Sequence, residues 1–342
     1  TTSQLRVAEA LDVACRTQGF FRVTGHGIDP ALFADLDRLA RRFFAQSDQT
    51  KAEIAMAMAG PAWRGWFPVG AELTSGRPDH KEGIYFGTEL PNDDPRVRAG
   101  TPLHGPNLFP DEPAGLGTAV LAYLDAATRV GHAIMSGLAI ALGLPRGWFA
   151  DDLTADPTVL FRIFHYPPEV EAPEDAPHHT TSRAPTWGVA EHTDYGLLTL
   201  LAQDDRGGLE VRVDGRWLPV PAEPDVLVCN LGDMLEALTA GRYRSTPHRV
   251  RNTSGAGRLS FPLFFDPGWD ARVRPLPLDS LTARSDPSDP PRPTVRSDSD
   301  STPSMQQRWD RTDPAAWTGT YGEYLTAKVS RVFPELFASL EG

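Results

Sequence analysis

The chain is poor in cysteine. Only Cys15 and Cys229 occur among 342 residues, far apart and without a CxxC spacing. That excludes a disulfide framework and leaves two buried thiols in a reducing cytosol as the reading. Any apolar run of 18 or more residues is also missing, so no membrane-spanning helix is expected. There is no block of basic residues. With 33 Lys and Arg against 45 Asp and Glu, the formal net charge is -12. Such a chain is not expected to bind nucleic-acid backbones or anionic lipid. The opening TTSQLRVAEA lacks the charged-then-apolar pattern of a signal peptide, which points to a cytoplasmic protein. No internal repeat is visible. A small molecule remains as the expected partner, and a monomer or weak homo-oligomer as the expected state.

What is present fits an ordinary globular protein: 40% hydrophobic and 23% charged residues. The length suffices for a sizeable core. Leu5, Ala8, Leu11 and Cys15 have helical spacing, and GFFRVTGHGI (19–28) reads as a short strand closed by glycines. Asp29-Pro30 is a capping signal for a helix through Phe44. Residues 60–112 are rich in Pro and Gly, and loops with short strands are expected there. A long helix is predicted over 116–142, ended by Gly143 and Pro145. From 158 the pattern changes to short β-type runs at 158–166, 186–190, 197–202, 208–213, 216–220, 225–231, 247–251 and 257–265. Short strands after a helical preface read as an α+β chain around a jelly-roll core. The division expected is a mixed helical region, 1–150, and a core, 151–342. Within the core, the Ser/Asp/Pro-rich 280–304 reads as a mobile insertion, and a closing helix is expected within 318–340.

The segment GVAEHTDYGLLTLL places His192 and Asp194 two apart in a β-type run, where alternate side chains share a face. A third ligand must come from another strand, and HRV (248–250) supplies His248. Two imidazoles and one carboxylate on one face leave open positions on an octahedral ion, the facial triad of non-haem iron(II) chemistry. HxD alone is a weak signal; a surface His and Asp near a turn would look the same. It sharpens ten residues after His248. There Arg258 and Ser260 share one face of the run RLSFPLFF, able to grip a carboxylate by charge-assisted hydrogen bonds. An isolated surface salt bridge is the bland alternative for Arg258, and the apolar run around it argues against that.

HxD…H with RxS resembles the isopenicillin N synthase-like 2-oxoglutarate/iron(II) dioxygenases. The resemblance covers most of the chain: GFFRVTGHGI, RGWFPVGAE (64–72), KEGIYFG (81–87), FRIFHYPP (161–168), NLGDMLEALTAGRYRSTPHRV (230–250) and YGEYLTAKVSRVFP (321–334). It implies a distorted double-stranded β-helix, or jelly roll, flanked by helices. His192, Asp194 and His248 would be iron(II) ligands, with Asp194 accepting a supporting hydrogen bond. Arg258 and Ser260 would hold the distal carboxylate of 2-oxoglutarate, and Tyr166 matches a tyrosine that often assists. Phe164 stands where many relatives have asparagine, and His165 replaces a common tyrosine, so this wall departs from the pattern.

The activity implied is oxidation of a small molecule by oxygen, most simply hydroxylation of an unactivated C–H bond, with 2-oxoglutarate converted to succinate and carbon dioxide. Desaturation or ring closure are variants. Candidate substrate residues are Arg64, Trp66 and Phe67, which face the pocket in relatives. Tyr195, next to the triad acid, Phe264 and, by strand parity, Arg162 join them. Core packing is the alternative for each aromatic, and a buried structural pair for Arg162. His178 and His179 read as solvated loop residues, and His26, His80, His104 and His132 show no ligand spacing. Competing readings are an oxidase of the same fold that needs no 2-oxoglutarate, a binding relative that lost turnover, and a zinc or manganese cupin-like enzyme, in which the RxS grip has no evident role.

Overall fold

The structure, a computed structural model, describes residues 2–168, 186–278 and 314–333. The stretch 280–304 and the pair His178–His179 lie outside the described residues. Helix α1 (Thr2–Thr17) precedes strand β1 (Phe20–Val23). Helix α2 (Pro30–Phe44) starts where the sequence signals it: the Asp29 side chain accepts from the N–H of Ala31, and Pro30 occupies the first turn. Strands β2 (Gly65–Phe67), β3 (Leu73–Thr74), β4 (Arg77–Pro78) and β5 (Glu82–Gly87) follow in the Pro/Gly-rich stretch. Helix α3 (Leu116–Ala141) is the long one. Then come β6 (Thr158–Tyr166), β7 (Val189–His192), β8 (Leu198–Gln203), β9 (Leu209–Val213), β10 (Arg216–Pro219), β11 (Leu227–Leu231), α4 (Asp233–Leu238), β12 (His248–Val250) and β13 (Arg258–Asp266). Helix α5 (Tyr321–Val329) closes the described chain behind a capping box formed by Thr320 and Glu323.

Seven strands form one sheet in the order β1-β11-β8-β13-β6-β5-β2, and four form another in the order β10-β9-β12-β7. Every pairing within them is antiparallel. Strands β1, β2 and β5 from the first 150 residues therefore complete the same sheet as β6 and β13. The larger sheet has two different faces because its side chains alternate with period two. On β13, Leu259, Phe261, Leu263 and Phe265 are fully buried and face the helices. Phe261 meets Phe33 of α2 edge-on at 5.2 Å, and Phe265 meets His132 of α3 at 4.8 Å. A Cβ on Gly131 of α3 would lie 2.6 Å from the Phe265 ring, so glycine lets this helix approach the sheet. The intervening Arg258, Ser260, Pro262, Phe264 and Asp266 point the other way, into a cavity between the sheets that residues of β7, β9 and β12 also line.

Candidate metal centre and anion site

His192, Asp194 and His248 meet in this cavity. Their ligand atoms all lie within 4.8 Å of one another. His192 and His248 are directly opposed residues of neighbouring strands β7 and β12. Oδ1 of Asp194 is 3.8 Å from Nε2 of His192 and 3.7 Å from Nε2 of His248. The expectation that His192 and Asp194 share one strand is corrected: β7 ends at His192, and Asp194 lies in the turn beyond it. What aims the carboxylate is therefore tertiary. Its Oδ2 accepts from Thr199 Oγ1 at 2.5 Å and from Asn230 Nδ2 at 2.6 Å. Its backbone is held by the start of α4, where the first-turn N–H of Asp233 donates to the Asp194 carbonyl at 2.7 Å.

The imidazoles are oriented as ligands. Nδ1 of His192 is 2.9 Å from the Ala190 carbonyl and Nδ1 of His248 is 3.1 Å from the Thr246 carbonyl. A carbonyl only accepts, so each Nδ1 carries a proton, and Nε2 is the ring nitrogen left on the side of Asp194. Burial, the neighbouring His248 and, in opposition, Asp194 bring His192 down to about 4, so it is neutral near pH 7. Burial alone would raise the Asp194 carboxyl. The two histidines and the bonds from Thr199 and Asn230 outweigh it and hold the group below its usual range. A carboxylate and two imidazoles whose Nε2 atoms converge on it would fit a divalent ion. All three lie on one side of it, leaving other positions open.

A second feature faces the same cavity. Arg258 is 1% exposed, and its guanidinium stacks 4.7 Å from the centre of the Tyr166 ring. Nε donates to the Gly207 carbonyl and Nη2 to Gln203 Oε1, yet Nη1 is buried with no partner among the described residues. Gly207 (φ 71°) and Gly208 (φ 88°) adopt the left-handed turn that brings that carbonyl close, a conformation glycine takes without strain. A buried guanidinium N–H without an acceptor is costly, and among the described residues no carboxylate pairs with Arg258. Ser260 Oγ lies 3.2 Å from Tyr166 Oη beside it. The group therefore fits an incoming carboxylate.

Of the candidate substrate residues, Arg162, Tyr195 and Phe264 line the cavity. Arg64, Trp66 and Phe67 do not. Strand β2 is the edge strand beyond β5, which carries them away from the sheet centre. Arg64 is buried against Gly87 and donates to the Leu103 carbonyl. The Trp66 indole donates to Glu82 at 2.9 Å, and Phe67 packs edge-on to Tyr85 and Phe333. Sequence reasoning missed Thr199, Asn230 and Gln203, polar residues inside apolar runs, which was the available signal. It also missed a buried cluster at the cavity wall. There Lys81 pairs with Asp79 at 2.6 Å and with Glu72 at 3.1 Å, and the Tyr85 hydroxyl donates to Glu72. No helix among the described residues is long and apolar enough to cross a membrane.

Comparison with known proteins follows the same lines. Residues 2–112 match the family described as the non-haem dioxygenase in morphine synthesis N-terminal region, and residues 157–267 match the 2OG-Fe(II) oxygenase superfamily. A Dictyostelium discoideum protein named as an iron/ascorbate oxidoreductase is 42% identical over 344 residues, covering 96% of this chain and 90% of its own. A 1-aminocyclopropane-1-carboxylate oxidase of Dictyostelium mucoroides is 31% identical, covering 96% of this chain and 91% of its own. Among solved structures, a 2OG-Fe(II) oxygenase family protein from Caulobacter crescentus superposes with a TM-score of 0.72 at 28% identity, covering 97% of this chain and 96% of that one. The expected α+β jelly-roll architecture is the fold they share.

Proposed function

From the premise that the chain belongs to the 2-oxoglutarate/iron(II) oxygenase superfamily, we propose that it hydroxylates an unactivated C–H bond of a small molecule, with His192, Asp194 and His248 as the iron ligands and Arg258, Ser260 and Tyr166 as the grip on 2-oxoglutarate. The family uses iron(II), 2-oxoglutarate and oxygen. The observation carrying the assignment is the unpartnered Nη1 of Arg258, buried in the cavity that also holds the His-Asp-His group.

When bound, iron supplies oxygen activation coupled to conversion of 2-oxoglutarate to succinate and carbon dioxide, chemistry that belongs to the cofactor. The chain's part is binding, orientation and exclusion of water. Arg258 and Ser260 hold the distal carboxylate, which leaves the keto-acid end of the same molecule directed toward the open side of the triad. Tyr166 stacks on Arg258 and shares the Ser260 hydroxyl, keeping both donors in place. Thr199 and Asn230 fix Asp194 so that one oxygen faces the metal position and the other is satisfied by the protein. Apolar residues of β9, β13 and the α5 region exclude water around the site.

The similarity to the 1-aminocyclopropane-1-carboxylate oxidase supports a second reading, an oxidase that does not consume 2-oxoglutarate. Succinate release measured across amino acids, peptides and natural-product scaffolds separates the two. Succinate formed in step with substrate oxidation supports the proposal; oxygen uptake without succinate supports the oxidase.

A further inference from the structure

Arg162 is a second guanidinium at the same cavity, and the function proposed above gives it nothing to do. It sits on β6, four residues from Tyr166 and on the same face, directly across from Tyr85 of β5. At about 3.4 Å per residue, it lies roughly 14 Å along the sheet from the Arg258 end. A diacid held at Arg258 with its other end toward the triad is one molecule; Arg162 is left for another.

Its surroundings are built to hold it still without satisfying it. The guanidinium lies 3.8 Å from the centre of the Tyr85 ring and 4.8 Å from that of Phe264, two aromatic faces that fix its plane. No hydrogen bond or ion pair reaches it among the described residues, and its Nε is enclosed without a partner. The neighbouring acids bond or pair with other groups, and Glu72 Oε2 has its ion pair with Lys81 but no hydrogen bond. Glu72 takes the Tyr85 hydroxyl and Lys81, Asp79 takes Lys81 and Thr74, and Asp266 takes the Tyr321 hydroxyl and the Leu197 N–H. Glu72 offsets charge at a distance, yet it leaves the donors of Arg162 unmet. The residue is half-buried and lines the cavity, so its open side faces the substrate space. The same cavity is also lined by apolar Leu73, Leu325, Val329 and Val332.

We propose that the prime substrate is a small organic acid whose carboxylate docks on Arg162 and whose apolar body lies against Leu325, Val329 and Val332, reaching toward the triad. This rests on the oxygenase reading above. A planar, immobilised guanidinium favours a carboxylate over a carboxamide because both oxygens accept charge-assisted bonds.

The test uses the iron(II)-loaded protein. A library of small apolar carboxylic acids, their primary amides, and neutral and cationic compounds of similar size is screened for stimulation of succinate release. Docking is checked independently by the change each compound makes in the visible charge-transfer absorbance of the anaerobic iron(II)–2-oxoglutarate complex. The expected hits are carboxylates, each losing about ten- to hundred-fold in kcat/KM on conversion to the amide. In Arg162→Gln the acid-over-amide preference collapses to within about three-fold, and Arg162→Lys restores part of it. A merely structural role for Arg162 would lower both members of each pair equally and keep the ratio. The proposal is overturned if hits are neutral or cationic, if no carboxylate in the library stimulates turnover, or if the ratio survives in Arg162→Gln. Failure to form the charge-transfer complex at all would instead sink the oxygenase reading on which it rests.

Discussion

Asn230 donates its side-chain N–H to Oδ2 of Asp194 across 2.6 Å, so a residue at the end of β11 determines where a carboxylate 36 positions earlier points. Thr199 holds the same oxygen from β8. Groups that orient a metal ligand typically contribute about ten- to hundred-fold to metal affinity. Thr199→Val and Asn230→Leu should each weaken iron(II) binding by that factor in an anaerobic titration, with the circular dichroism spectrum retained. Unchanged affinity in both variants would mean that the two bonds do not prepare Asp194 for a metal.

His192→Ala and Asp194→Ala should abolish stoichiometric iron(II) binding and substrate-dependent succinate release. The triad has three protein donors, and removing one leaves a pair that holds a divalent ion weakly. An intact binding stoichiometry in either variant would place the metal elsewhere.

For Arg258→Gln the apparent KM for 2-oxoglutarate should rise about ten- to hundred-fold, the effect of losing one charge-assisted carboxylate grip of roughly 1.5–3 kcal/mol. At saturating 2-oxoglutarate kcat should fall less than kcat/KM. Steady-state kinetics with 2-oxoglutarate varied decides this, and a KM unchanged within two-fold refutes the assignment.

Asp266 gives the metal-free chain a pH-dependent stability. Burial pushes its carboxyl up to about 7, opposed by bonds from the Tyr321 hydroxyl and the Leu197 N–H. In the unfolded chain it titrates near 3.9. Between those values the folded state holds a proton that the unfolded state has released. The resulting stabilisation is present at low pH and is lost as pH rises through about 7, on the order of 4 kcal/mol in all. Denaturant unfolding at pH 5 and pH 8 should show the wild type losing more stability than Asp266→Asn. Parallel losses would refute the raised carboxyl.

Gly131→Val should destabilise the fold, because a branched side chain there meets the Phe265 ring where even a Cβ would lie 2.6 Å away. Overpacking of this kind costs about 1–3 kcal/mol, and a drop in melting temperature of several degrees is expected by calorimetry.

The strands of the core and the long helix were legible because their signals are local. Alternation in RLSFPLFF put Arg258, Ser260 and Phe264 on one face and Leu259, Phe261, Leu263 and Phe265 on the other. Asp29-Pro30 marked the start of one helix, and Gly143 with Pro145 the end of another. Edge position is not written in local pattern. Arg64, Trp66 and Phe67 read as pocket residues, but β2 lies outside β5, and pairing order across a sheet depends on segments far away in sequence.

The residue types able to bind a metal and a carboxylate, and the period-two placement of Arg258 and Ser260 on β13, were determined by the sequence itself, because a strand's pleat obeys only the chain's own stereochemistry. Tertiary structure alone decided that Asp194, outside any strand, is aimed by Thr199, Asn230 and the start of α4. It alone also decided that Arg162 stands between two aromatic rings with no hydrogen-bond partner among the described residues. Both depend on what distant segments bring within hydrogen-bond reach, and that distance is measured in space rather than along the chain.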